Sequence, residues 1–137
     1  MKLEFFLEGD PPRATAQERK VRVSGGRPMM YDPDSVLMAR QVLCLWLSQH
    51  KPVRPLTGPV RLECHWMFRA RAARPGTWKY TRPDVDNLMK LMLDCMTKTG
   101  YWEDDSQIVD LRVTKSWQSV PGIQIKIEEL GGKHEIR

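Results

Sequence analysis

Residues 82–105, RPDVDNLMKLMLDCMTKTGYWEDD, constrain this chain more than any other stretch. Asp84 and Asp86 open it one residue apart, and the adjacent Asp104 and Asp105 close it. Between them Val85, Leu88, Met89, Met92, Cys95 and Met96 repeat at the i, i+3, i+4, i+7 spacing of a helix with one buried stripe. The spacing predicts a helix over residues 85–99, with Gly100 as its stop. Arg82-Pro83 should be extended, because the residue before proline avoids the α region. That leaves Asp84 at the natural cap and Asp86 in the first turn, where carboxylates are favourable without any further role. Carboxylates gathered at the ends of one element repel each other and call for a compensating cation, either a lysine or a metal.

The flanking pattern is that of a single α+β domain over residues 1–137, a small mixed sheet of four to five strands with two main helices. Residues 2–8 alternate, with Leu3, Phe5 and Leu7 on one face, until Pro11-Pro12 ends the strand. Residues 59–69 alternate more cleanly: Val60, Leu62, Cys64, Trp66 and Phe68 point one way, and Arg61, Glu63, His65, Met67 and Arg69 the other. His65 has no partner at ligand spacing and reads as a satisfied strand residue. Residues 108–117 and 122–130 predict two more strands, joined at Pro121-Gly122 as a hairpin. Residues 35–49 predict a helix with more apolar positions than one stripe can hold. It should therefore be covered on a second side, by a neighbouring helix or by another subunit. Residues 131–137 are expected to be a frayed tail.

Net charge is +5, and its distribution matters more than its size. Arg13, Arg19, Lys20, Arg22 and Arg27 fall in a punctuated segment, residues 13–33, predicted as a loop or loose hairpin turning at Gly25-Gly26. A second basic loop, residues 69–82, interleaves Arg69, Arg71, Arg74, Lys79 and Arg82 with Trp78 and Tyr80. Guanidinium groups hold phosphate while exposed rings stack on bases, so both loops are candidate DNA contacts. A solvated surface with the rings folded onto the core is the plain alternative. No run approaches the ~18 apolar residues of a membrane span. The three cysteines, Cys44, Cys64 and Cys95, are widely spaced among apolar residues, as expected of reduced thiols in a cytoplasmic protein.

A DxD alone occurs by chance, but here a second acidic pair follows one helix and one turn later. If the returning strand lies beside the one leading to Asp84, Asp104 or Asp105 comes next to Asp84. Asp84, Asp86 and Asp105 would then suit magnesium, a hard cation that takes a few carboxylates and keeps several waters. Lys90 stands four residues after Asp86 on the same helical face. It could neutralise charge developing on a phosphate, or simply pair with Asp86 or Asp94.

The run over residues 82–115, with Asp-x-Asp-Asn-x-x-Lys, a helix, and Gly-aromatic-x-x-Asp-Asp before a strand, closely resembles the RusA family of Holliday junction resolvases. Residues 9–33 resemble that family's N-terminal basic segment more loosely, and residues 72–78 form a longer loop than its pattern. The resemblance implies a bacterial or phage homodimer that binds four-way DNA junctions and makes paired, symmetric nicks with Mg2+, Mn2+ substituting. Carried over by position, Asp84, Asp86, Lys90 and Asp105 match the catalytic residues, with Asp104 as a neighbouring acid. A junction-binding protein without catalysis is the alternative. A sugar-nucleotide transferase using DxD is disfavoured, because the chain is short for a nucleotide-binding domain plus an acceptor site.

Overall fold

The computed structural model describes residues 1–14, 20–31 and 34–131, with the backbone alone at 20–24 and 29–31. In chain order the elements are β1 (Lys2–Glu8), β2 (Lys20–Ser24), β3 (Arg27–Tyr31), α1 (Asp34–Ser48), β4 (Val60–Arg69), β5 (Thr77–Trp78), α2 (Val85–Thr99), a 3-10 turn (Asp105–Gln107), β6 (Ile108–Gln118) and β7 (Gly122–Glu129). Five strands form one sheet in the order β1-β7-β4-β6-β5, and β2 and β3 form a separate hairpin that turns at Gly25-Gly26. The α+β class, the five-strand mixed sheet and the two helices match the sequence pattern.

The strand β4 lies at the centre because its alternation is the cleanest in the chain. Val60, Leu62, Cys64, Trp66 and Phe68 are all buried. Each large apolar side chain so buried contributes about 1.5–3 kcal/mol. In register, Leu62, Cys64 and Trp66 meet Ile127, Ile125 and Ile123 of β7. Leu3, Phe5 and Leu7 of β1 continue the same rows. The two helices cover this one face, with Leu43 and Leu47 of α1 and Leu88, Leu91, Met92 and Met96 of α2 fully buried. The opposite face carries charge, and Arg61 of β4 reaches Asp110 (2.8 Å) and Glu128 (3.5 Å) on the flanking strands. His65 is satisfied there, as expected, by Thr114 Oγ1 at 2.6 Å and by Glu63 at 3.4 Å.

The predicted hairpin between the last two strands does not form. β4 is inserted between them, parallel to β6 and antiparallel to β7. The insertion pairs both edges of the most apolar strand, which adjacency in sequence cannot reveal. On the other edge of β7, Gly122 permits the close approach of β1: a Cβ there would overlap the Phe6 ring and come within 2.5 Å of the Leu7 carbonyl oxygen.

The apolar surplus on α1 is also accounted for only in part. Val36, Ala39, Leu43 and Leu47 are buried, whereas Leu37, Met38, Val42 and Leu45 remain exposed, Met38 and Leu45 to 63% each.

Candidate active site

The acidic motif is built by two anchors, one at each end of α2. At the start, the chain comes off β5, passes a cis Arg82–Pro83 peptide and enters the helix at Asp84. Lys115 of β6 holds this entry. Its Nζ donates to the carbonyl oxygens of Thr81 and Pro83, each at 2.7 Å. Asp84 stands at the N-cap position with extended backbone, yet its side chain accepts no capping hydrogen bond. The expected cap is therefore absent and the carboxylate is unspent. Asp86 and Lys90 are exposed on one face of the first turns, and neither makes an ion pair among the described residues. The anticipated Lys90 pair with Asp86 or Asp94 is thus not formed.

At the other end, Gly100 adopts φ +96° and the amide of Tyr101 turns back to the Met96 carbonyl at 3.0 Å. A left-handed residue of this kind closes a helix best when it is glycine. Tyr101 and Trp102 are buried anchors. The Tyr101 hydroxyl donates to the Leu47 carbonyl of α1 at 2.6 Å, and the Trp102 indole donates to Thr97 Oγ1 at 2.7 Å. Burial pushes the Tyr101 phenol above its ordinary pKa.

Asp104 then caps the 3-10 turn, accepting from the Ser106 amide at 3.0 Å, while Gln107 Oε1 accepts from the amides of Glu103 and Asp104. Hydrogen bonds from the Ser106 side chain and amide hold Asp104 below the usual carboxylate pKa. Gln107 Nε2 also donates to the Leu56 and Gly58 carbonyls, which fixes the turn to the start of β4. Asp105, between the two capping residues, is exposed, and its side chain makes no hydrogen bond among the described residues.

Two rulers measure how far apart these ends are. The helix α2 has 15 residues, about 22 Å at 1.5 Å per residue. On β6, the turn after Asp105 leads into Ile108, opposite Val60, whereas Lys115, which grips the Asp84 end, lies opposite Trp66. That span is about 23 Å at 3.3 Å per residue. The strand preceding Asp84 does pair with β6, as the expectation required, but at Ser116 and Trp117, the far end of β6 from Asp105. Asp105 therefore does not stand beside Asp84 in the same chain. Among the described residues no three His, Cys, Asp or Glu side chains are grouped closely enough to hold a metal ion.

Of the predicted DNA contacts, Arg27, Arg69, Arg71, Arg74 and Arg82 are exposed, and Arg69 is paired with Asp10 at 3.3 Å. Trp78 and Tyr80 point outward, 68% and 93% exposed, so the rings do not fold back. Lys79 between them does, and the expectation of a surface contact is corrected: it is 3% exposed. Its Nζ donates to Thr81 Oγ1 at 2.6 Å and lies over the rings of Trp117 (4.3 Å) and Phe68 (5.2 Å). An extended segment sends alternate side chains to opposite faces, so with Trp78 and Tyr80 out, Lys79 goes in. Arg13 is exposed, its guanidinium 5.5 Å from the Phe68 centroid. Arg19 and the side chains of Lys20 and Arg22 lie outside the described residues. Lys115 carries no signal as a DNA contact, but it could have been found as the lysine that breaks the apolar phase of Leu111, Val113 and Trp117.

The profile for endodeoxyribonuclease RusA matches residues 10–128, which includes every part of both anchors. The chain belongs to the RusA endodeoxyribonuclease family. It is 33% identical over 131 residues to the crossover junction endodeoxyribonuclease rusA of Lactococcus phage r1t, covering 95% of this chain and all of that protein. It is 30% identical to the uncharacterized protein YqaN of Bacillus subtilis, covering 93% and 96% of the two chains. The crossover junction endodeoxyribonuclease RusA of Escherichia coli K12 matches at 37% over 75 residues, about half of each chain (54% and 53%). No helix among the described residues is long and apolar enough to cross a membrane.

Proposed function

We propose that this chain resolves four-way DNA junctions as a two-fold dimer, with each active site shared between two copies. Asp84, Asp86 and Lys90 come from one copy and Asp105 from the other. The observation that carries this reading is the separation of unspent carboxylates by the length of α2. A two-fold axis running beside α2, perpendicular to it and level with its middle, brings the start of one helix next to the end of the other. It thereby makes two equivalent acidic sites, and resolving a junction needs two symmetric cuts. The exposed stripe of Leu37, Met38, Val42 and Leu45 on α1 is apolar surface that such a dimer can bury.

The donors fit a hard divalent cation: Asp84, Asp86 and Asp105 supply only oxygen, are exposed, and spend none of it on hydrogen bonds among the described residues. Bound magnesium, or manganese in its place, would polarise the scissile phosphate and make water a better nucleophile. The protein's own part is positioning and charge. Lys115 fixes the Asp84 entry through two carbonyl oxygens. The Asp104–Gln107 box fixes Asp105 against β4. Lys90, with no carboxylate partner, offers its ammonium to charge accumulating on the phosphate oxygens as the P–O bond breaks. The exposed arginines around β5 hold flanking phosphates. All three cysteines are free thiols, which suits work on DNA in the bacterial cytoplasm.

The test is complementation between inactive copies. Asp84→Asn and Asp105→Asn proteins should each fail to cut a synthetic four-way junction in magnesium. Mixed dimers regain one intact site and should nick one strand without the paired second cut. Mixtures that stay as inactive as either parent would sink the shared site. A wild-type protein that binds the junction yet never cuts it in magnesium would make this a binding protein instead.

A further inference from the structure

At the Asp84 end of the sheet lies a cleft that the acidic motif does not use. Phe68 of β4 and Trp117 of β6 are register partners, with ring centroids 6.5 Å apart and planes at 68°. Phe68 is itself buried, with the Arg13 guanidinium over its ring, so the partly exposed Trp117 is the aromatic surface offered by an open cleft of about 710 Å3, whose walls include Asp10, Arg13, Arg69, Arg71 and Ala72. That volume is within the range of small-ligand sites. Residues 69–82 are pinned as one wall: the Ala70, Gly76 and Lys79 amides donate to the carbonyls of Gln118, Trp117 and Lys115 at 2.9, 2.7 and 3.2 Å.

The charge around this cleft is one-sided. Asp10 neutralises Arg69, but Arg13, Arg71, Lys79 and Lys115 have no carboxylate within ion-pair distance among the described residues. Lys79 is nearly fully buried, where an ammonium needs compensation. It receives only the Thr81 hydroxyl and the two ring faces. Burial lowers its pKa, and the charges of Arg13 and Lys115 lower it further. An anion entering the cleft would relieve that repulsion, and an anion bearing a flat ring would also cover the Trp117 ring. A nucleotide is both.

The location says which nucleotide. Trp117 lies two residues beyond Lys115 on the same face of β6, about 7 Å away. Lys115 Nζ touches the Pro83 carbonyl immediately before Asp84. A base seated against Trp117 is therefore within reach of the phosphate held at Asp84 and Asp86.

We infer that the cleft beside Trp117 receives an unpaired nucleotide next to the scissile phosphate, its base against the Trp117 ring and its phosphate between Arg13 and Arg71. The inference rests on the junction-cutting reading for its substrate.

The experiment measures binding of full-length protein to labelled four-way junctions by fluorescence anisotropy in EDTA, so that no cutting is needed. Each nucleotide flanking the exchange point is replaced in turn by an abasic residue. For the wild type, one position should show a Kd raised about tenfold on loss of its base. Trp117→Leu, and Ala72→Trp, which fills the cleft from an exposed loop position, should bind intact and abasic junctions within twofold of each other. The second variant leaves the core untouched if the first fails to fold. An abasic penalty as large in Ala72→Trp as in the wild type, or no penalty in the wild type at any position, overturns the inference. Cleavage in magnesium is scored separately, so an inactive wild type would count against the nuclease reading and leave the cleft test intact.

Discussion

Replacing Lys115 by methionine isolates the clamp that sets the entry to α2. The stem length is kept, and what disappears is an ammonium donating to two carbonyl oxygens at 2.7 Å, on Thr81 and Pro83. A hydrogen bond to a charged group is worth about 1.5–3 kcal/mol. The ammonium is half-exposed and water replaces part of each bond, so the pair together should cost about 2 kcal/mol. For a chain of this size that lowers Tm by roughly 6–8 °C. The larger effect should be on chemistry. Residues 81–83 lose the cation that holds their backbone carbonyls, leaving only the Lys79 hydrogen bond to the Thr81 hydroxyl, and a displacement of the order of 1 Å at Asp84 costs about a hundredfold in rate. Junction affinity, which the proposed function assigns to exposed arginines elsewhere, should change by roughly twofold. The assay is single-turnover cleavage of a four-way junction at a temperature well below the variant's Tm, with binding measured in EDTA. A Lys115→Met protein that melts lower but cuts at the wild-type rate would show that the clamp stabilises the fold without positioning Asp84. An unchanged Tm and an unchanged rate would remove the clamp altogether.

Three further outcomes follow from the geometry. Gly122→Ala places a methyl group into the Phe6 ring and the Leu7 carbonyl, and should destabilise by about 1–3 kcal/mol, read as a lowered urea midpoint with an unchanged slope. Asp104 has a folded pKa below its unfolded value, so its contribution is present above the ordinary value of 3.8 and is lost as pH falls through the lower folded pKa. Acid titration should therefore release the 3-10 turn in that window, seen as faster amide exchange at Ser106 and Gln107, and Asp104→Ala should abolish this step. Because Lys79 is buried and Arg71 exposed, Arg71→Ala should reduce the slope of log affinity against log salt by about 1. Lys79→Met should leave that slope unchanged, because its ammonium is turned onto Thr81 and the rings of Phe68 and Trp117.

The elements were legible where the signal was local. The repeat through Val85 to Met96 and the alternation from Val60 to Phe68 each fixed a burial face, and Gly100 fixed a helix end by its positive φ. What was not legible was insertion. Nothing in residues 108–129 announces that β4, folded earlier in the chain, will separate β6 from β7. The same topology explains why the two acidic pairs stand at opposite ends of α2 and not together: the chain leaves β5 at the far end of β6, and must travel the length of α2 before β6 can begin.

The two lysines that escaped the pattern point to one place. Lys79 interrupts a basic surface segment by turning inward, and Lys115 interrupts an apolar strand face with a charge. Each breaks the local rule of its own element, and such conflicts are expected where function outweighs packing. Both flank the same few residues, Thr81 to Pro83, at the entry to Asp84. Lys115 spends its charge on carbonyl oxygens and so holds backbone. Lys79 spends its own on a hydroxyl and two rings, and so stays electrostatically unsatisfied beside Arg13. The first is a fastening and the second a reservoir of positive potential beside the Trp117 ring. Their division of labour lets one end of the sheet fix a carboxylate site while keeping, within a nucleotide's reach, an attractive seat for the strand that will be cut.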